Sequence, residues 1–207
     1  SPYEKLLATG MALASDAEEV NAGNEVEIIG EPTEAALVKY ASEKGIKKAE
    51  IIKDYPRIGE APFDSGRKMM STVHHNRLSM DISEGDDFIS DLISKSNYVQ
   101  FTKGAPDVVL KKCTHILENG QIVNLDEEKK KKVNERNLEM ASKALRVLSL
   151  AIRLYDDKPN SFDSKELEKD MVFVGLTGMI DPVRPEAKEA VWECRQAGIR
   201  PIMITGD

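Results

Sequence analysis

Residues Arg146-Val147-Leu148-Ser149-Leu150-Ala151-Ile152-Arg153-Leu154 carry Leu148, Leu150, Ile152 and Leu154 at every second position. Successive strand side chains point to opposite faces, so these four share one face of a half-buried strand. Working back from it, Asp126 caps a helix running to about Leu145, with acids early and lysines later, as the helix dipole favours. His115 to Val123 reads as a hairpin whose Asn119-Gly120 supplies the positive φ angles of a type I′ turn. Pro106 opens a short helix with Val108, Val109 and Leu110, and Tyr98 to Thr102 is a strand. Working forward, Met171 to Ile180 is a strand apolar on both sides and therefore buried. Pro185 to Ala197 is a helix ended by Gly198, and Ile202 to Ile204 is a final buried strand.

Strand, helix, strand at 171–204 describes one βαβ unit, whose strands lie parallel. A lone unit is a poor stopping place for a domain. The expectation is a chain drawn from a longer one, with residues 1–170 as one domain and 171–207 as part of a second. In the N-terminal half, Tyr3 to Glu19 has Leu6, Leu7, Met11 and Ala14 at helical spacing, and Val26 to Ile29 is a short strand. Pro32 starts a helix with Ala36, Leu37, Tyr40 and Ala41 on one face, and Gly45 stops it. Asp64-Ser65-Gly66 is a hairpin turn leading into a strand from Lys68 to His74, and Asn76 to Asn97 is a polar loop with a marginal strand or helical turn. The fold class is α/β.

Composition narrows the function. The 207 residues are 41% hydrophobic, enough to bury a core, and 29 Lys and Arg against 36 Asp and Glu give a net charge of −7. That balance argues against nucleic acid as a partner, which requires a basic footprint. Two cysteines, Cys113 and Cys194, are too few for a disulfide framework or a zinc site. No apolar run approaches the ~20 residues that cross a bilayer, and Ser1-Pro2-Tyr3-Glu4 lacks the pattern of a leader. The expectation is a soluble, reduced chain facing the cytosol.

The sequence contains no GxxxxGK[ST], GxGxxG or GxSxG. Four segments carry the chemistry instead: Gly30-Glu31-Pro32-Thr33-Glu34, Phe63-Asp64-Ser65-Gly66-Arg67-Lys68-Met69-Met70, Phe101-Thr102-Lys103-Gly104-Ala105-Pro106-Asp107, and Leu145-Arg146-Val147-Leu148. A nucleotide base wants an aromatic face, and stacking is worth ~1–3 kcal/mol. Phe63 offers that face, and Glu34 an acceptor for the base's amino edge. Lys103 and Arg146 can give phosphates charge-assisted hydrogen bonds of roughly 1.5–3 kcal/mol each. Gly104, without a side chain, lets a ligand approach the backbone. Each has an ordinary structural alternative: Phe63 as core, Lys-Gly-Ala-Pro as a turn with a solvated lysine, Arg146 as a cap on the preceding helix. Asp181-Pro182-Val183-Arg184 links a strand to a helix. Thr205-Gly206-Asp207 follows a strand end, where backbone N–H groups can hold a phosphoryl oxygen or simply exit to a loop.

In order and spacing these segments resemble the cytoplasmic headpiece of P-type ion-transporting ATPases, closest to the calcium-pump group, from about Leu6 to Asp207. The resemblance implies a nucleotide-binding domain with a twisted, mostly antiparallel sheet flanked by helices, followed by a βαβ piece of a haloacid-dehalogenase-like phosphorylation domain. It implies that Phe63 stacks on adenine, Glu34 lies near the base's amino group, and Lys68, Met70, Lys103 and Gly104 belong to the pocket. Arg146 then reaches phosphates or ribose, Leu148 lies beside the base, and Asp181 and Arg184 face the nucleotide on domain closure. Thr205, Gly206 and Asp207 match the motif whose threonine contacts the transferred phosphoryl group. ATP or ADP is the implied ligand and Mg²⁺ the parent enzyme's metal. The implied partners are the remaining phosphorylation, actuator and transmembrane parts of a membrane pump, whose cytoplasmic side this piece would occupy as a monomer.

The family's DKTGT box, with the phosphorylated aspartate, does not occur in this chain, so the chain alone is expected to bind nucleotide without turning it over. Ser65 stands where some animal calcium pumps carry an arginine, which moves weight to Arg67, Lys103 and Arg146. The expected affinity is about −4 to −6 kcal/mol. The transported ion is calcium on headpiece similarity, with sodium, magnesium or protons as alternatives. A free-standing phosphatase and a non-catalytic interaction module are the rival functions.

Overall fold

Large apolar residues on both faces of the central strands require cover on both sides, and the helices supply it. The computed structural model describes residues 1–22, 25–77, 92–93, 95–180 and 184–204. Ser1 caps helix α1 (Pro2–Leu13), its hydroxyl accepting the Glu4 N–H. A two-stranded antiparallel ribbon follows, β1 (Glu18–Ala22) with β2 (Glu25–Ile29). Helix α2 (Pro32–Glu43) is capped by Glu31, whose carboxylate accepts the N–H groups of Thr33 and Glu34. A further short helix is α3 (Lys48–Asp54).

The main sheet begins with β3 (Arg57–Asp64), β4 (Met69–His75) and β5 (Tyr98–Gly104). After α4 (Pro106–Val109) come β6 (Cys113–Glu118) and β7 (Gln121–Asn124), joined by Asn119 at φ 49 and Gly120 at φ 81. Helix α5 (Glu127–Ser142) has Asp126 at its cap, and β8 (Arg146–Tyr155), α6 (Ser164–Leu167), β9 (Met171–Met179) and α7 (Pro185–Gln196) complete the order. The seven strands run β3-β4-β5-β8-β9-β6-β7. Every neighbouring pair is antiparallel except β6 with β9.

On one face, Leu6, Met11 and Leu13 of α1 pack against Phe101, Leu150 and Ile152. Gly10 lets that helix lie close, since a Cβ there would stand 2.6 Å from Leu150 Cδ2 and 2.7 Å from Phe101 Cδ1. Helix α1 in turn meets α2 through Ala8, Ala12 and Ala41. On the other face, Met69, Ala151, Met171 and Phe173 pack with Val109, Leu110 and Leu125, and Val133 of α5 lies over them. Fully burying side chains of this size is worth about 1.5–3 kcal/mol each.

Several expectations need revision. The first helix stops at Leu13 rather than Glu19, because Glu18–Ala22 pairs with β2. Helix α3 was not anticipated. The expected loop at 76–97 falls largely outside the described residues. The βαβ unit is not formed among the described residues: β9 pairs antiparallel with β8, register Arg146↔Met179 to Ile152↔Val172, and its other edge pairs with β6. A division at Met171 would therefore cut through paired strands of one sheet. Ile202, Met203 and Ile204 are exposed and form no strand, because no neighbouring strand offers them hydrogen bonds.

Candidate nucleotide cleft

Strand register brings the four chemical segments together. Met70 lies opposite Lys103, and Lys103 opposite Leu150, so one row crosses β4, β5 and β8. Leu148 sits two residues from Leu150 on the same face, and Arg146 two further, at the start of β8. At the other side the end of β3 presents Phe63 and the turn after it Lys68. Asp64 organises that turn, its carbonyl accepting the Lys68 N–H at 2.7 Å and its carboxylate the Arg67 N–H at 2.8 Å. Lys68 has φ 53, a left-handed conformation uncommon outside glycine, and its carbonyl accepts the Ala105 N–H at 3.0 Å. The hairpin is thereby tied to the Lys-Gly-Ala-Pro segment.

The resulting cleft has a volume of about 580 Å³. The expected residues Glu34, Phe63, Lys68, Met70, Lys103, Gly104, Arg146 and Leu148 all line it. Phe63 is 63% exposed, so it is a rim residue with an open ring face and not core. Arg146 Nη1 donates to Thr33 Oγ1 at 2.9 Å, which joins the start of β8 to the start of α2 instead of capping α5.

Lys103 and Glu34 form an ion pair at the back of the cleft, with side chains 8% and 15% exposed. Lys103 Nζ also donates to Ser15 Oγ at 3.1 Å, and Glu34 Oε2 accepts the Asp16 N–H at 2.8 Å. Burial pulls the Lys103 ammonium below the usual lysine range; the hydrogen bond and charge of Glu34 oppose that pull, with smaller help from Asp16 and Glu31.

Gly104 also meets a packing constraint. A Cβ there would stand 2.5 Å from the Lys68 carbonyl oxygen and 2.6 Å from Met69 Cβ. The space is filled by Lys68 and the start of β4, so strand packing by itself requires glycine here. Arg67, expected to carry some of the phosphate binding, is held elsewhere. Its guanidinium pairs with the buried Glu168 and donates to the Pro62 carbonyl at 2.6 Å. Arg184 is exposed at the N-cap of α7 and is not among the cleft residues, while Asp181, Thr205, Gly206 and Asp207 lie outside the described residues.

Asp16, Glu31, Thr33 and Ala105 also line the cleft and were missed as contacts. Glu31 and Thr33 stand just before Glu34 in the quoted segment, which was signal enough; Asp16 had none. Among the described residues no three His, Cys, Asp or Glu side chains converge on a metal site. Cys113 is buried, its thiol donating to the Val109 carbonyl at 3.2 Å and pushed up to about 12 by that burial. No helix of the described residues is long and apolar enough to cross a membrane.

Comparison with known proteins is consistent with this geometry. Residues 3–186 match the family model described as P-type ATPase, cytoplasmic domain N. The chain is 41% identical over 204 residues to "Calcium-transporting ATPase 1" of Bacillus cereus, covering 99% of this chain and 20% of that protein. It is 35% identical to "Calcium-transporting ATPase" of Bacillus subtilis, over 100% of this chain and 21% of the relative. It is also 35% identical to "Cation-transporting ATPase pma1" of Synechocystis, over 99% and 20%. The chain thus spans about a fifth of the length of these relatives.

Proposed function

The chain belongs to the P-type ATPase family, matching its cytoplasmic domain N, and from that premise we propose that it binds ATP for a cation pump. The relatives' names support calcium as the transported ion. The observation that carries the nucleotide reading is convergence: Phe63, Lys103 and Arg146, from three segments distant in sequence, line one cleft.

In this reading adenine stacks on the open face of Phe63, with Met70 and Leu148 forming the apolar wall. Glu34 stands near the base's amino edge while holding Lys103. Lys68 and Arg146, on opposite walls, receive the ribose and phosphates. The domain places ATP and restricts its motion, and that positioning is the protein's main contribution to phosphoryl transfer. The acceptor aspartate of the family's DKTGT box is absent from these residues, so the chain alone binds without hydrolysing. Among the described residues no three His, Cys, Asp or Glu side chains converge, so Mg²⁺ would come to this chain with the nucleotide's phosphates. We place the end of the nucleotide domain after β9, and assign Asp181, Arg184 and Thr205, Gly206 and Asp207 to the phosphorylation side.

Calorimetric titration with ATP tests the proposal. Phe63→Ala is expected to weaken binding by about 1–3 kcal/mol, with the thermal midpoint unchanged because the ring is exposed. Equal affinity in parent and variant refutes the stacking role, and absence of any ATP response in the parent refutes the function.

A further inference from the structure

The turn after α1 grips both halves of the ion pair at the back of the cleft. Ser15 is fully buried, and its hydroxyl donates to the Met11 carbonyl at 2.7 Å. A hydroxyl has one proton, so with that proton committed its lone pairs are left to face Lys103 Nζ at 3.1 Å. One residue on, the Asp16 N–H donates to Glu34 Oε2 at 2.8 Å.

This turn is itself clamped from below. Lys48, a buried lysine, donates to the carbonyls of Ser15 and Ala17, both at 2.6 Å. Arg57 donates to the carbonyls of Leu13 at 2.9 Å and Ser15 at 3.0 Å, and to the Asp16 carboxylate at 2.7 Å. Of these carbonyls, that of Leu13 is one the end of α1 leaves unpaired, and Arg57 sits at that helix's negative pole. The clamp makes the turn a fixed reference point, and Ser15 Oγ and Glu34 are the two acceptors given to the Lys103 ammonium.

We propose that Ser15 is a positioning residue for nucleotide binding: its oriented hydroxyl sets where the Lys103 ammonium stands in the cleft. The proposal rests on the assignment of Lys103 to nucleotide binding made above. A lysine side chain is flexible, and one acceptor alone leaves its head group free to swing about Glu34. Two acceptors fixed from one turn hold it in place. The charged groups sharing this space are Glu34 of α2 and its cap Glu31, Asp16 from the turn, Lys68 before β4 and Arg146 on β8. Removing the hydroxyl takes an acceptor from a buried ammonium, so its charged form is held less well.

The test uses the 207-residue chain with lysine ¹³Cε labels. The Lys103 resonance is titrated with pH in the parent, Ser15→Ala and Ser15→Thr, and ATP affinity is measured at pH 7 and pH 9. In Ser15→Ala, Lys103 is expected to lose its proton at lower pH than in the parent. ATP affinity is expected to fall about fivefold at pH 7, with a larger deficit at pH 9, and Ser15→Thr is expected to restore both. Ser15→Cys, near in size and a weaker acceptor, replaces the alanine variant if that chain does not fold. An unmoved Lys103 titration in a folded variant overturns the proposal. A moved titration with unchanged ATP affinity overturns the functional half of it. A moved titration in a parent that does not bind ATP leaves Ser15 as the positioner of Lys103 and refutes the nucleotide assignment instead.

Discussion

Removing either member of the Lys103–Glu34 pair is expected to cost more than removing both. Lys103→Met leaves Glu34, 15% exposed, held by the Asp16 N–H. Glu34→Gln leaves an ammonium 8% exposed with the Ser15 hydroxyl. Breaking a buried pair from one side costs ~3–5 kcal/mol, since the other charge is left without compensation. Partial exposure and the surviving hydrogen bonds reduce that to about 2–3 kcal/mol for each single variant. The double variant has no charge left to strand, and its loss is expected near ~1–2 kcal/mol, with a coupling energy of about 3–4 kcal/mol. Urea unfolding of the four proteins at pH 7 measures this cycle. ATP titrations run beside it separate stability from binding: both proteins with the Lys103→Met change lose roughly tenfold or more in affinity, whatever their stability. Single losses that simply sum in the double variant, within ~0.5 kcal/mol, refute the claim that the pair acts as one buried unit.

Two further predictions concern the frame around the cleft. Gly104→Ala is expected to destabilise the chain by about 3 kcal/mol or more in urea unfolding, because its Cβ meets the Lys68 carbonyl and Met69 and not a movable side-chain end; stability within ~0.5 kcal/mol of the parent contradicts this packing. His74, buried between the Tyr55 carbonyl at 2.8 Å and Thr72 Oγ1 at 2.9 Å, is pushed down to about 4 by its burial. The unfolded chain therefore takes up the proton first, and stability falls as pH drops from about 6.5 towards 4, levelling below that. The contribution is about 2 kcal/mol by pH 5, seen as a difference between urea midpoints at pH 7.5 and pH 5 that shrinks in His74→Gln.

Much of this arrangement was legible because local signals agreed with the global fold. Leu148, Leu150, Ile152 and Leu154 share a core as their alternation requires, and Asn119-Gly120 turns the hairpin between β6 and β7. Other features were hidden for physical reasons. A strand apolar on both faces, such as Met171–Met179, suits a parallel sheet or the interior of an antiparallel one, and only its partners decide. Helix α3 escaped notice because its buried residue is Lys48 and its cap Lys47 offers no side-chain hydrogen bond. Asp16 reaches the cleft wall through a clamp by Arg57, 41 residues away, which no local pattern encodes. Glycine at position 104 reported a close approach correctly, but the sequence could not say whether ligand or strand would occupy the space.

The charge balance of the cleft bears on how it would hold the proposed polyanion. Asp16, Glu31 and Glu34 oppose Lys68, Lys103 and Arg146, so the lining is formally neutral. A triphosphate gains little from such a cleft as a whole and depends on where individual charges stand. Lys103 is already engaged by Glu34 and Ser15, so its pull on the nucleotide comes from donors shared with them and not from a free charge. In the proposed reading the apolar wall of Met70 and Leu148 with the Phe63 ring fixes the base, while the more open cations Lys68 and Arg146 meet the phosphates. That division favours recognition of the adenine end and leaves the phosphate tail only loosely held by this domain. A donor domain that must hand its terminal phosphoryl group to an acceptor on another domain is served by a firm hold on the base and a light one on the tail, since uniform tight binding would lower the ground state along with the transition state.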